Sequence, residues 1–543
     1  MGERDQVDAE THGGPSQDFG DTRAAGFRLV RRTALMSPSF ARNTVLGFAS
    51  GAAVALAGFI GNAIAARLLG PDDLGVFAYV VWSVTIASIV AGLGINVVQQ
   101  RFIPNLRAEG ENDRADGLVG ATARLSTAAA IVGCPLLFAY LYWPGRSATE
   151  DPHSSRTVVI ALALIWFICW KLADVYLFYL RGEQRFGELA RISGVSALIK
   201  LTVLALGAWL FGIPGALAGY VAGNILPAVK TFRLLGIRAP VGPTLRRQVV
   251  RFALPSWATA VIGGLVFGRT EIVFLERYTG IGAVGLFAAA ATVAEMAVQL
   301  PPLVLSALLP RFSEQFGLGA HDHMQRLYRT MTALMAMIIV PLCLGIAAIA
   351  PALVPFLFGV EFADAAPAVS VLLVAAAVSS LGVTTLYLLQ SVGKTGLLLI
   401  TNGIGLIGTL ALGFLLVPRF GLMGAAWSRA IVQVSVVLIE TWYVTKRLNV
   451  APPYRTLAAI TVAAAAQGAV AYLVTRELGG PVSLLVSIPA AIVVYVVGLR
   501  VLDVMSIVDP ALMNRLVERL PGLMRPLVCR MLNVPTRPAD DSG

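Results

Sequence analysis

The sequence predicts an all-α polytopic membrane protein of about fourteen transmembrane helices. Two six-helix lobes related by a pseudo-twofold along the membrane normal would be followed by two extra helices. Three observations predict this. Of 543 residues, 57% are hydrophobic and only 13% charged, where a soluble domain carries about 25% charged residues. Apolar runs of roughly 20 residues, each long enough to cross about 30 Å of hydrocarbon as a helix, recur along the chain. Two blocks of the first half also return in the second at nearly one offset.

In chain order, residues 1–40 form a polar tail without the charged-then-apolar layout of a cleavable signal, and they are expected to be disordered and cytoplasmic. Helices 1–6 of the N-lobe (41–235) are expected at 43–67, 75–98, 118–142, 157–180, 192–211 and 213–229. A cytoplasmic linker at 236–250 leads to the C-lobe (251–448), with helices at 252–275, 280–309, 330–357, 366–390, 395–417 and 420–445. Helices 13 and 14 (456–475 and 481–502) occupy 449–503, and 504–543 is a cytoplasmic amphipathic tail, in which 509–532 intersperses arginines among leucines.

Orientation follows from the cations. Arg23, Arg28, Arg31, Arg32 and Arg42 precede helix 1. Alternate loops continue the series with Arg101, Arg107 and Arg114, then Arg181, Arg185 and Arg191, then Lys230 to Arg247, then Lys446, Arg447 and Arg455. The intervening loops, such as GPDDLG and GVEFADAA, are short and sparse in cations, which places both termini inside. The net charge of +11 is mostly this bias, and no soluble domain offers a basic face to nucleic acid.

No chemistry-bearing motif stands out. Cys134, Cys169, Cys343 and Cys529 are scattered and read as packing residues, and His321 with His323 lacks further metal ligands. VGKTG at 392–396 has the Gly-Lys-Thr of a phosphate loop, but Leu388 stands where the first glycine belongs. Neither catalytic residues, a metal nor a cofactor is expected.

ARLLGPDDLGVFA from Ala66 and ERYTGIGAVGLFA from Glu276 align without a gap at an offset of 210, pairing Gly70 with Gly280, Gly75 with Gly285 and Phe77 with Phe287. At an offset of 209, FGIPGA (211–216) meets FGLMGA (420–425). Six helices per repeat is an even number, so both halves share one orientation. Transporters so built hold substrate near the midplane between halves and rock around it.

These stretches, with RTEIVFLERYTGIGAVGLFAAA across helices 7 and 8, resemble the polysaccharide-transporter family of bacterial oligosaccharide-lipid flippases, which shares a superfamily with lipid II flippases and multidrug antiporters. The resemblance spans roughly residues 40–503. It implies a V-shaped pair of bundles in the bacterial plasma (inner) membrane. The implied activity moves an undecaprenyl-diphosphate-linked oligosaccharide from the inner to the outer leaflet for cell-surface polysaccharide biosynthesis. Besides the lipid bilayer, implied partners are that substrate and a polymerase or glycosyltransferases of the pathway. The family carries no strict catalytic signature.

Site candidates therefore come from the charges inside the spans, which cost about 2.5 to 3.5 kcal/mol each on insertion scales and face a cavity or a partner. Lys171 and Lys200 lie about 14 to 15 Å from the cytoplasmic loop arginines. Lys171 either pairs with Asp174, three residues on, or lines the cavity. Lys200 and Arg429 have no opposite charge at helical spacing and are cavity cations for a diphosphate. Arg269, about 27 Å beyond Arg251, either grips phosphate at the outer mouth or snorkels with Glu271 or Glu276 beside it. Glu295 pairs with one of these cations or carries a proton, and Glu440 is close enough to Lys446 to snorkel.

Two other functions compete. A cation-coupled multidrug antiporter would need an acidic ion site in a helix core, but Asn43–Arg67 holds no acidic residue. A membrane polymerase, ligase or glycosyltransferase would need a sizeable extramembrane segment, and the loops are too short.

Overall fold

The computed structural model describes residues 38–143, 156–305, 312, 315–316 and 321–504. The tails and Cys529 lie essentially outside them. Among the described residues there are thirteen α-helices and no strand: α1 (Pro38–Val90), α2 (Ile95–Ala108), α3 (Asn112–Tyr142), α4 (Arg156–Gly182), α5 (Phe186–Leu235), α6 (Pro243–Phe267), α7 (Glu271–Tyr278), α8 (Ile281–Leu305), α9 (His321–Phe358), α10 (Ala366–Ser391), α11 (Thr395–Arg447), α12 (Tyr454–Leu478) and α13 (Val482–Val501).

Among the described residues, eleven helices are long and apolar enough to cross a membrane. Three of these are doubled at a glycine of positive φ: Gly70 (75°) in α1, Gly212 (60°) in α5 and Gly421 (53°) in α11. A side chain is strained in that conformation, so glycine sets the bend. In α5 the two arms run back along each other: a Cβ on Gly215 would lie 1.9 Å from the Gly207 carbonyl oxygen, and Gly219 and Gly223 press on Leu204 and Lys200. In α11, Gly424 packs on Leu416 and Gly408 on Val432. With each arm counted separately, the fourteen expected crossings are present.

The doubling predicted from sequence has a physical signature. Gly212 and Gly421, corresponding residues of the FG-motif repeat, break their helices at nearly the same angles, (60°, −134°) and (53°, −128°). Across the lobes, a Cβ on Gly75 would meet the Ile281 carbonyl oxygen at 2.0 Å, while one on Gly285 would meet the Pro71 oxygen at 1.9 Å. Shifted by the repeat offset, each contact becomes the other. Such reciprocity is what a twofold axis produces. The contact closes the end of the molecule at which Arg67 of α1 donates from Nε to Leu357 O (2.8 Å) and from Nη2 to Phe356 O at the end of α9.

Arg107 marks the opposite end. It donates to Glu183 (2.8 Å) and Asp116 (2.5 Å), and its hydrogen bond to the Glu183 carboxylate raises the guanidinium pKa above its ordinary value. α12 and α13 pack against α9, outside the interface between the two repeats.

Three expectations are corrected in detail. The linker is shorter than 236–250, because Pro243, with its preset φ, starts α6 and leaves only residues 236–242 non-helical. Helix 2 ends at Val90, not 98, and restarts as α2 after Leu93 (φ 47°) and Gly94 (φ 71°). A Cβ on Gly94 would stand 2.6 Å from the Ala253 oxygen, so the turn lets α6 approach the backbone. Helix 7, expected unbroken over 252–275, is interrupted between α6 and α7.

Gly75→Leu is expected to force the closed end apart. With native cysteines replaced, Ala289→Cys in the interior should resist an impermeant thiol reagent added outside and react once Gly75→Leu is added. Unchanged protection would mean that this contact is not the seal.

Candidate functional site: a charged cavity between the lobes

The interruption of helix 7 falls on Gly268, Arg269 and Thr270. Arg269 has φ 62°, in the left-handed region that non-glycine residues seldom adopt. A break inside a membrane frees carbonyls that must find donors, and it is tolerated where protein supplies them or a cavity admits water. Both conditions hold. Thr270 Oγ1 donates to Leu265 O, and Arg429 Nη2, from the second arm of α11, donates to Phe267 O at 2.9 Å.

Around the break four charges close into a network. Arg269 grips Glu295 of α8 with two bonds, Nε to Oε1 at 2.7 Å and Nη2 to Oε2 at 2.6 Å. Arg429 reaches Glu295 Oε1 at 3.3 Å and Glu271 Oε2 at 3.5 Å. Glu271 is fully buried and its Oε1 has no partner. The network is tied to the other lobe through Thr292, whose Oγ1 accepts from Arg269 Nη2 (3.2 Å) and from Asn62 Nδ2 of α1 (3.3 Å). Arg269 is eleven residues from Gly280, about 16 Å along a helix and thus near the midplane. It turns into the bundle, where the carboxylate that it bonds is Glu295.

A cavity of 350 Å³ opens beside Arg269 and Glu295, walled by Asn62, Phe77, Trp82 and Thr85 of α1 and by Thr292 of α8. Both lobes contribute. Arg429 does not line it, being 6% exposed and spent on the Phe267 carbonyl and two carboxylates. Lys200 does not line it either, since its Nζ sits 3.5 Å from the centre of the Tyr220 ring between the arms of α5.

Lys171 is buried on α4, with Nζ donating to Ser88 O at 3.3 Å. No ion pair within 4 Å joins it to Asp174 among the described residues. Instead both line a second cavity of 230 Å³, which shares α1 and α6 as walls with the central one. Glu440 stays inside the bundle, 6% exposed, accepting a bond from Thr401 at 2.9 Å. Asn62, Thr292 and Trp82 were missed from sequence. The one available signal was an asparagine in an otherwise apolar helix 1.

The sequence model of a family described as polysaccharide biosynthesis protein matches residues 40–316. The chain belongs to that family. Within the reach of this polysaccharide biosynthesis family, stage V sporulation protein B of Bacillus subtilis is 20% identical over 306 residues, 51% of this chain and 58% of that protein, so the match spans less than two thirds of this relative. A probable low-salt glycan biosynthesis flippase, Agl15, of Haloferax volcanii is 20% identical over 410 residues, 74% of this chain and 83% of that protein. Among solved structures, the lipid II flippase MurJ in an inward closed conformation matches with a TM-score of 0.62 and 14% identity, over 86% of this chain and 98% of that one. That likeness establishes a shared fold for this polysaccharide biosynthesis protein.

Arg429→Gln leaves Glu271 buried without its cation and the Phe267 carbonyl without a donor, a loss of about 3 to 5 kcal/mol. Thermal unfolding in detergent should show it, and Arg429→Gln with Glu271→Gln should recover most of the loss. A double variant no more stable than the single would mean that the pair is not coupled.

Proposed function

We propose that this protein is a flippase that carries an undecaprenyl-diphosphate-linked oligosaccharide from the inner to the outer leaflet of the bacterial plasma membrane by alternating access, without covalent chemistry. The termini are cytoplasmic on this reading, following the Lys/Arg bias of alternate loops. Similarity to Agl15, a probable flippase of glycan biosynthesis, supports the substrate class.

The observation that carries the proposal is Arg269 at the wall of a cavity between the lobes, held by a carboxylate that has a second arginine within reach. Glu295 stands between Arg269 at 2.6 Å and Arg429 at 3.3 Å. A diphosphate arriving from the cavity takes the planar guanidinium of Arg269 bidentately. Glu295, displaced, turns to Arg429, so no charge is left alone in low dielectric. Release of the phosphate reverses the exchange. Arg429 acts by positioning, holding the break open and receiving Glu295. Lys200, against its aromatic ring, is assigned to lobe packing.

Arg269→Lys keeps the charge but loses the fork, removing a charge-assisted contact of roughly 1.5 to 3 kcal/mol. In vesicles reconstituted with the protein and its lipid-linked oligosaccharide, transport affinity should fall about ten- to a hundredfold at wild-type abundance. Wild-type affinity in that variant would remove Arg269 from the site. A wild-type protein that moves no lipid-linked sugar but expels cationic drugs would replace the flippase with an antiporter.

A further inference from the structure

The second cavity has a different chemistry from the central one. It lies one step toward the cytoplasmic end along the same two walls: Ser88 and Ile89 of α1 follow Thr85, and Trp257 and Ala260 of α6 precede Phe267. Between the cavities the helices touch. Ile89 Cδ1 is 2.8 Å from where a Cβ on Gly264 would stand, and Ile86 Cδ1 is 3.7 Å from that of Gly268. Two isoleucines against two glycines thus form an apolar constriction with a polar chamber on either side.

The inner chamber is lined by Asn96, Gln99, Trp170, Lys171, Asp174 and Trp257, among others. Gln99 is fully buried. Its Nε2 donates to Thr122 Oγ1 at 3.0 Å, and its Oε1 has no partner, an unmet acceptor on a side chain of the cavity wall. Lys171 Nζ has three donors, and one is engaged by Ser88 O. Trp257 is fixed through Nε1 to Val90 O at 2.8 Å, and Trp170, stacked on Trp166 with centroids 5.3 Å apart, lines the chamber. Amides, a carboxylate and an ammonium between two indoles match a ring of hydroxyl groups. Each hydroxyl both donates and accepts, and the C–H faces of a sugar pack on aromatic rings. A diphosphate fits less well, because Asp174 repels it.

We infer that the inner cavity is a saccharide subsite, which holds one sugar ring of the lipid-linked headgroup on the cytoplasmic side of the Ile89–Gly264 constriction. This rests on the flippase reading and adds a place where sugar identity is tested before the headgroup reaches Arg269. The subsite is built from the turn at 91–94, which brings Asn96 and Gln99 of α2 against α4 and α6.

The test is equilibrium binding to the full chain in detergent, read by intrinsic tryptophan fluorescence. Two probes are used: undecaprenyl diphosphate, and the pool of undecaprenyl-diphosphate-linked saccharides extracted from the cells' own membranes. Wild type should bind the sugar-bearing pool about tenfold more tightly than the bare lipid. Asn96→Ala with Gln99→Met should erase that preference and leave bare-lipid affinity unchanged. Because Asn96 is exposed in the chamber, Asn96→Ala alone keeps the fold and should lower the preference about threefold. A preference that survives both substitutions, or one absent from wild type, overturns the subsite, and equal weakening of both lipids makes the chamber a phosphate site instead. Binding of neither lipid by wild type defeats the flippase reading itself.

Discussion

An arginine within hydrocarbon must be compensated or the helix that carries it does not insert. In this protein the constraint shapes the whole interface between lobes. Arg269 can sit near the midplane because Glu295 accepts two of its bonds. Glu295 in turn is shared with Arg429, and Arg429 supplies the donor that the interrupted helix lacks at Phe267. Removing Glu295 strands Arg269, and removing Arg429 strands Glu271 and the Phe267 carbonyl. The network therefore preserves an irregular stretch of backbone beside the central cavity, and helix interruption and charge burial become one device.

The same reasoning explains why the lobes are not equivalent despite their matching backbone geometry. The repeat appears in backbone geometry, at Gly212 and Gly421 and at the paired contacts of Gly75 and Gly285. The four charges of the network belong to the second repeat alone, and the first answers with Asn62, a neutral amide bonded to Thr292. One lobe carries the charge while the other contributes neutral polar and aromatic wall, so motion between them need not separate an ion pair.

Much of the fold was legible in the sequence because the bilayer imposes simple rules. Span length, the alternation of Lys and Arg, and the FGIPG and FGLMG motifs located the crossings and the doubled helices. The site was legible only in part. Arg269, Glu271, Glu295 and Arg429 were singled out because charge in an apolar run is visible, but their pairing spans separations such as 158 residues between Arg429 and Glu271, which helical spacing cannot reveal. The break in helix 7 was hidden for the same reason, since GLVFGRTEIVF reads as one apolar helix until distant partners are known. Lys171 and Asp174 sit at a spacing that suggests an ion pair, and both line the inner cavity, where the lysine also donates to the distant Ser88 carbonyl.

The closed end of the molecule is a joint of backbone on backbone. Gly75 lies on the Ile281 carbonyl and Gly285 on the Pro71 carbonyl, with Phe77 and Phe287 buried in the core beside them. When such a joint opens, it exposes peptide oxygens that water can solvate at once. On the proposed flippase reading, the binding or loss of one headgroup then has only this backbone joint to open and close.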